Sequence, residues 1–283
     1  MNLSRLMWTL YEPVHSVTYF SPEARQHFEA AGLRGFWRGY FAGRAAALGP
    51  VDAAPVVAAF FNFAPGMVAR ALPQVWQRAT PAEVLAARTT GATAALRRAC
   101  ADLTAPDVTE AADRLAGVAA RLDHVGRVLG AGNGALPVPE EPLARLWQAT
   151  TTLREHRGDG HVAALVAAGI NGCDVLVWRA ASDMSRQALQ PNRGWSDEEW
   201  DESVRRLQRR GWLDGAGRPT DTGVASFQEI EAITDRVCAP AWDGVSVERL
   251  RTLLSPLAEA CRQEIPAAYP VGLPPSGGGA DRA

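Results

Sequence analysis

Not one lysine occurs in the chain, so all 29 basic residues are arginines. With alanine and glycine abundant, this is the mark of a GC-rich coding bias, and an arginine count by itself says little about anion binding. Cysteine is scarce: Cys100, Cys173, Cys238 and Cys261 stand far apart with no Cys-x-x-Cys pair. They read as small buried hydrophobes rather than a disulfide framework or a metal knuckle. No apolar run reaches the length of a membrane span. The first eight residues, Met1 to Trp8, lack the charged region, apolar core and cleavage site of a signal peptide, so a cytoplasmic location is expected. A formal net charge of -2 over 283 residues speaks against broad, non-specific nucleic-acid affinity, which requires many neutralised phosphates. A phosphate-cradling glycine loop, a Gly-x-Ser-x-Gly elbow and the kinase signatures are also missing.

What is present is a chain of helices. At 47% hydrophobic and 21% charged residues there is ample material for a buried core. Ser21-Pro22-Glu23, Thr80-Pro81-Ala82-Glu83 and Ser196-Asp197-Glu198-Glu199 are helix starts, each with a capping hydroxyl and an acid near the positive helix end. Periodicity predicts helices over residues 22–31, 36–47, 53–63, 81–101, 106–129, 142–152, 162–181, 198–210, 221–238 and 247–264. The helix 53–63 is apolar all round and is expected to be buried, with Asn62 needing partners inside it. Gly130-Ala131-Gly132-Asn133-Gly134, followed by Pro137, Pro139 and Pro142, reads as a linker. It divides the chain into a helical domain at 1–134 and a second at 135–266, with a disordered tail at 267–283. A faint echo relates Trp76 to Arg98 with Trp195 to Arg210, as a duplicated helical unit would.

The densest chemistry lies in Leu153-Arg154-Glu155-His156-Arg157-Gly158-Asp159-Gly160-His161. Gly158 and Gly160 are expected to break the helix there, so that Glu155, Asp159 and His161 converge. Three roles fit these residues. In the first, a carboxylate orients His156 or His161 for proton transfer near neutral pH. In the second, the two histidines with Glu155 or Asp159 and the distant His15 ligate a metal, although the spacing matches no strong metal motif. In the third, Arg154, Arg157 and the acids form a salt-bridged connection. Glu12, His15 and Tyr19 fall at three- and four-residue spacing on one helical face, which makes His15 the long-range partner. His27 and His124 read as surface residues. On the first role the catalytic set is His15, Glu155, His156, Asp159 and His161. A ligand would then be lined by Glu12, Tyr19, Tyr40, Phe60, Asn62, Phe63, Arg157 and Trp178. No metal and no cofactor are assigned.

The segment from Ser196 to Gly223 resembles the recognition helix and wing of MarR-type winged-helix proteins. A helix ends in Arg205-Arg206-Leu207-Gln208-Arg209-Arg210-Gly211-Trp212-Leu213, and a Gly-containing turn leads to Arg218-Pro219-Thr220-Asp221-Thr222-Gly223. The whole chain is also similar to an uncharacterised actinobacterial family of helix-turn-helix-like proteins. The likeness runs through Glu12-Pro13-Val14-His15, Tyr19-Phe20, Phe61-Asn62-Phe63, residues 153–161 and Gly194-Trp195-Ser196. It implies a mainly α fold of two helical halves, the second winged-helix-like with a short β-wing. The expected function is small-molecule binding, with cofactor-free acid/base catalysis of a condensation, cyclisation or isomerisation in specialised metabolism. The alternative is a ligand-responsive transcriptional regulator, a homodimer gripping DNA through Arg205, Arg209 and Arg218. Asp197, Glu198, Glu199, Asp201 and Glu202 on the same helix oppose that alternative by repelling phosphate.

Overall fold

The computed structural model describes residues 2–266, so the tail expected to be disordered at 267–283 lies outside the described residues. Polar caps set many of the helix boundaries. Asn2 opens α1 (Leu3–Phe20) and Ser21 opens α2 (Pro22–Ala30), each side chain accepting a first-turn N–H. α3 (Phe36–Ala45), α4 (Ala53–Phe60) and the short α5 (Pro65–Ala69) follow without such caps. Thr80 and Glu83 form a full capping box at α6 (Pro81–Ala99), and Thr104 caps α7 (Ala105–Ala119). α8 (Val128–Gly134) then leads to α9 (Pro142–Ala167), 26 residues long. Beyond it come α10 (Gly172–Ser182), α11 (Arg186–Leu189), α12 (Asp197–Arg209), α13 (Asp221–Cys238) and α14 (Val247–Arg262). The described fold is mainly α, and no single helix in it is long and apolar enough to cross a membrane.

Three apolar clusters hold these helices together. α1, α6, α7, α9 and α14 surround the first, which contains Met7, Val14, Leu96, Leu115, Trp147 and Leu254. The second is aromatic, with Phe28, Tyr40, Phe41, Phe60 and Phe63. The third joins the end of α9 to α10, α12 and α13 through Trp178, Trp200, Leu207 and Trp212. α9 passes from the first to the third: Trp147 and Leu153 lie in one, Ala164 and Leu165 in the other. All four cysteines are buried free thiols.

The glycines behave differently from expectation. Residues 130–134 are helical, not a linker, because α8 is packed too closely for side chains. A Cβ on Gly130 would lie 3.0 Å from His156 Cα, and Gly132 and Gly134 face the Ala47 carbonyl and the His124 ring. Tertiary contact here overrides poor helix propensity, and the helix expected at 106–129 accordingly stops at Ala119. Nor do Gly158 and Gly160 interrupt α9. A glycine inside a helix costs only about 1 kcal/mol, and packing of α9 against its neighbours outweighs that. The break falls instead at Gly169 (φ 67°), where the chain turns by 97° into α10, so the helix expected at 162–181 is two helices.

Two further expectations are corrected. α4 ends at Phe60 rather than 63 and is not buried all round: Val56 and Phe60 are buried, while Ala54, Pro55 and Ala58 are exposed. Asn62 therefore lies beyond the helix. The β-wing is also missing, for no strand occurs among the described residues and a single antiparallel bridge joins Leu213 to Pro219. The Asp214 carboxylate accepts the N–H groups of Ala216 and Arg218, which closes the turn tightly. Pro219 has no N–H with which to extend a ladder.

Candidate ligand cleft

A cavity of about 260 Å³ opens between α1, α3 and the end of α4 on one side and α9, α10, α11 and α13 on the other. Helical spacing decides who reaches it. From α1 come Trp8, Glu12, Ser16 and Tyr19, at intervals of four, four and three. From α9 come Arg154, Glu155, Gly158, His161, Val162 and Leu165, again one stripe. The same periodicity carries His156 and Asp159 to another face of α9. There Asp159 Oδ2 accepts the Gly130 N–H at 2.8 Å, and His156 Nδ1 lies 3.4 Å from His124 Nδ1. The dense stretch is thus split between two surfaces. Glu155 and His161 face the cleft, while His156 and Asp159 fasten α8 to α9.

The floor of the cleft is ionic. Arg44, on α3, donates Nε and Nη2 to the two oxygens of Glu155, both at 2.9 Å, and Arg154 Nη1 donates to Glu155 Oε2 at 2.8 Å. Burial works to raise the Glu155 carboxyl, but the Arg154 and Arg44 guanidiniums outweigh it and hold the group well below the usual carboxylate range. Glu12 goes the other way: burial raises it, against the opposing pull of Arg154 at 3.6 Å and a hydrogen bond of 3.0 Å from Trp8 Nε1. Burial thus disfavours the charged form of Glu12, while the guanidiniums favour that of Glu155. The guanidinium of Arg44 also lies 3.9 Å from the Phe60 ring centroid.

His15 sits one step behind this floor. Its Nε2 pairs with the Tyr19 hydroxyl at 2.9 Å and its Nδ1 with Thr151 Oγ1 at 3.0 Å, so Tyr19 connects His15 to the cleft. Burial first, then Arg154, drives the His15 pKa far below the ordinary histidine value, and burial raises the Tyr19 phenol. Both are neutral groups that exchange hydrogen bonds. His161 Nδ1 pairs with Thr234 Oγ1 at 3.0 Å, and because Thr234 Oγ1 donates to the Ile230 carbonyl at 2.8 Å, this pairing suits the tautomer that carries its proton on Nδ1 and a lone pair on Nε2. Burial lowers His161 as well, with Glu231 opposing. Burial disfavours the charged form of both histidines.

Phe61 shapes the rim. It has φ 60° and ψ -55°, and the Asn62 N–H donates to the Phe60 carbonyl at 2.7 Å, a γ-turn of the strained hand. The turn sends Phe60 and Phe63 into the aromatic cluster and packs Phe61 against the third. Phe60, Phe61 and Asn62 all line the cleft, as do Glu12, Tyr19, Tyr40 and Arg157. Two expected lining residues stand back. Phe63 lies beneath Tyr40, ring centroids 5.5 Å apart, and Trp178 packs against Trp212 and Phe227 at 5.5 and 5.6 Å. Arg44, Arg193 and Ser16 went unread in the sequence. For Arg44 a signal existed: it falls four residues after Tyr40, on the face of α3 that its aromatic residues make apolar.

Outside the cleft, α12 packs on α10 through Trp200 and Leu207 and is followed by the closed turn at 214–218. The sequence matches a helix-turn-helix family over residues 4–269. The chain belongs to this family. No curated protein and no solved structure matches it. In this helix-turn-helix protein the expected DNA-reading arginines are all engaged. Arg205 Nε and Arg209 Nη2 pair with Glu202 at 2.9 and 3.1 Å, and Arg218 Nη2 pairs with Asp214 at 2.8 Å. Arg206 adds a bond of 2.9 Å to Asp174.

Proposed function

We propose that the chain binds a small organic molecule in the cleft along α9, on a helix-turn-helix scaffold of MarR-like type turned from DNA to small-molecule chemistry. One observation carries the reading: a cleft of about 260 Å³ in which aromatic rings (Trp8, Tyr19, Tyr40, Phe60, Phe61) and polar groups (Asn62, His161, Arg193) line one space. An apolar cavity of about 150 Å³ is enough to hold benzene, so this one has room for a ring with a substituent. Tyr19 and His161 Nε2 are the donor and acceptor that such a molecule meets. Cofactor-free condensation, cyclisation or isomerisation would run between them, in the manner of specialised metabolism. The strained γ-turn at Phe61 fits a preorganised rim.

A second reading, a ligand-responsive transcriptional regulator, is favoured by membership of the helix-turn-helix family. A thermal-shift screen separates the two. Cyclic organic compounds should raise the melting temperature of the wild type and of an Arg205→Ala, Arg209→Ala, Arg218→Ala triple variant alike, because binding to the native state stabilises it. If duplex DNA stabilises the wild type but not the triple variant, and no small compound does so, the regulator reading wins.

A further inference from the structure

Arg193 lies in the connector between α11 and α12, and its backbone is tied at both ends. Its N–H donates to the Gln190 carbonyl at 3.1 Å, and its carbonyl accepts the Ala64 N–H at 2.8 Å, which joins the connector to the aromatic half of the molecule. The side chain is 7% exposed, lies 4.7 Å from the Phe63 ring centroid and reaches the wall of the cleft. Nη1 donates to the Asn192 carbonyl at 2.9 Å, while Nε has no partner. Among the described residues no carboxylate comes within ion-pair distance of it.

The other arginines of the cleft floor are paired with acids. Arg44 and Arg154 share Glu155, and Arg157 donates to Asp235 at 2.7 Å. Arg88, away from this cleft, also lacks an acid and has an unpartnered Nε, but Gly43 O and Asn133 Oδ1 take its two Nη groups, and burial lowers its pKa to about 10. Arg193 is the interior guanidinium that lines the cleft with no counter-ion. Burying a cation in this way is costly unless an anion joins it.

We propose that Arg193 is the anion seat of the cleft and that the bound molecule is an aromatic or alicyclic monocarboxylic acid. Its carboxylate is taken by Arg193 through Nη2, which no hydrogen bond occupies, and its ring lies against Phe60 and Phe61. This rests on the cleft being a ligand site. A carboxylate fits better than a phosphate. A single guanidinium with one free terminal nitrogen can hold a monoanionic carboxylate, whereas a phosphate dianion calls for several converging donors, such as the N–H groups of a helix N-terminus, and neighbouring Phe60, Phe61 and Phe63 offer none.

The test is ligand-observed NMR on the full chain with matched pairs: aryl- and cycloalkyl-substituted acetic and propionic acids, their primary amides, and phenyl phosphate. Acids should bind about tenfold or more tightly than their amides, as a charge-assisted hydrogen bond implies. R193Q should erase that preference while leaving amide affinity within about twofold, and R193K should keep part of it. The wild-type comparison needs no variant to fold. Equal binding of acids and amides, or acid binding unchanged in R193Q, overturns the anion seat and leaves the ligand site standing. A preference for phenyl phosphate over every carboxylate overturns the carboxylate assignment. If no compound in any class binds, the anion seat falls together with the cleft as a ligand site.

Discussion

Glu155 holds two guanidiniums in the interior, and its loss would strand both. Glu155→Gln should cost about 3–5 kcal/mol of stability, the usual penalty for breaking a buried ion pair from one side, measured by urea denaturation. The α8–α9 contact sets pH dependence in two opposing ways. Burial first, then Arg127 and His124, lowers His156 from 6.5 to about 3. The unfolded chain therefore takes up its proton first, and stability is lost as pH falls below 6.5. Asp159 is raised by burial from 3.8 to about 6, so its ionisation destabilises the fold as pH rises through that interval. Asp159→Asn should add about 1–2 kcal/mol above pH 6, after allowance for solvent screening, and should steepen the loss of stability on acidification. Urea midpoints at neutral and mildly acidic pH check both signs. The nine-residue stretch was legible as a concentration of chemistry, but its division between cleft and α8 was not. That depends on the unbroken helical phase across Gly158 and Gly160. Arg193 was hidden by a chain that has arginine at every lysine-or-arginine position.

At the scale of the element, the two glycines of α9 should respond oppositely to alanine. A Cβ at Gly158 meets Arg154 Nη1 at 3.6 Å and Glu155 Oε2 at 3.9 Å, ordinary contacts, so Gly158→Ala should stabilise the protein by about 0.5–1 kcal/mol. A Cβ at Gly160 would run into the Arg127 guanidinium, which is pinned by the carbonyls of His156 and Val237. Gly160→Ala should therefore destabilise, and a thermal melt distinguishes the two variants. Helix starts were readable because a cap is local chemistry: Ser21, Thr80 and Ser196 all cap as their sequences imply. The γ-turn at Phe61 and the helicity of the glycine-rich α8 were not readable. Each is imposed by partners distant in sequence, Gly172 packing on the Phe61 carbonyl in one case and His156 on Gly130 in the other.

For the whole molecule, the issue is whether function resides on α12 or in the cleft. With Arg205, Arg209 and Arg218 each paired to a carboxylate and five acids on α12 itself, DNA affinity should be weaker than about 100 μM at physiological salt, the weak end of non-specific binding. Fluorescence anisotropy with a labelled random-sequence duplex measures it. Membership of a helix-turn-helix family was legible in the sequence, whereas the wing expected within residues 196–223 does not form and the cleft arises only when α1, α9 and α13 come together. The cleft is most directly tested as the ligand site by filling it. Gly158 is the point where the α9 wall lacks a side chain, so Gly158→Leu projects four carbons into the cavity while improving helix propensity. Ligand-observed NMR of cyclic carboxylic acids on the wild type and on this variant is the decisive measurement. Binding to the wild type that disappears in a fully folded Gly158→Leu protein is the predicted result; binding that survives unchanged would contradict the cleft as the site.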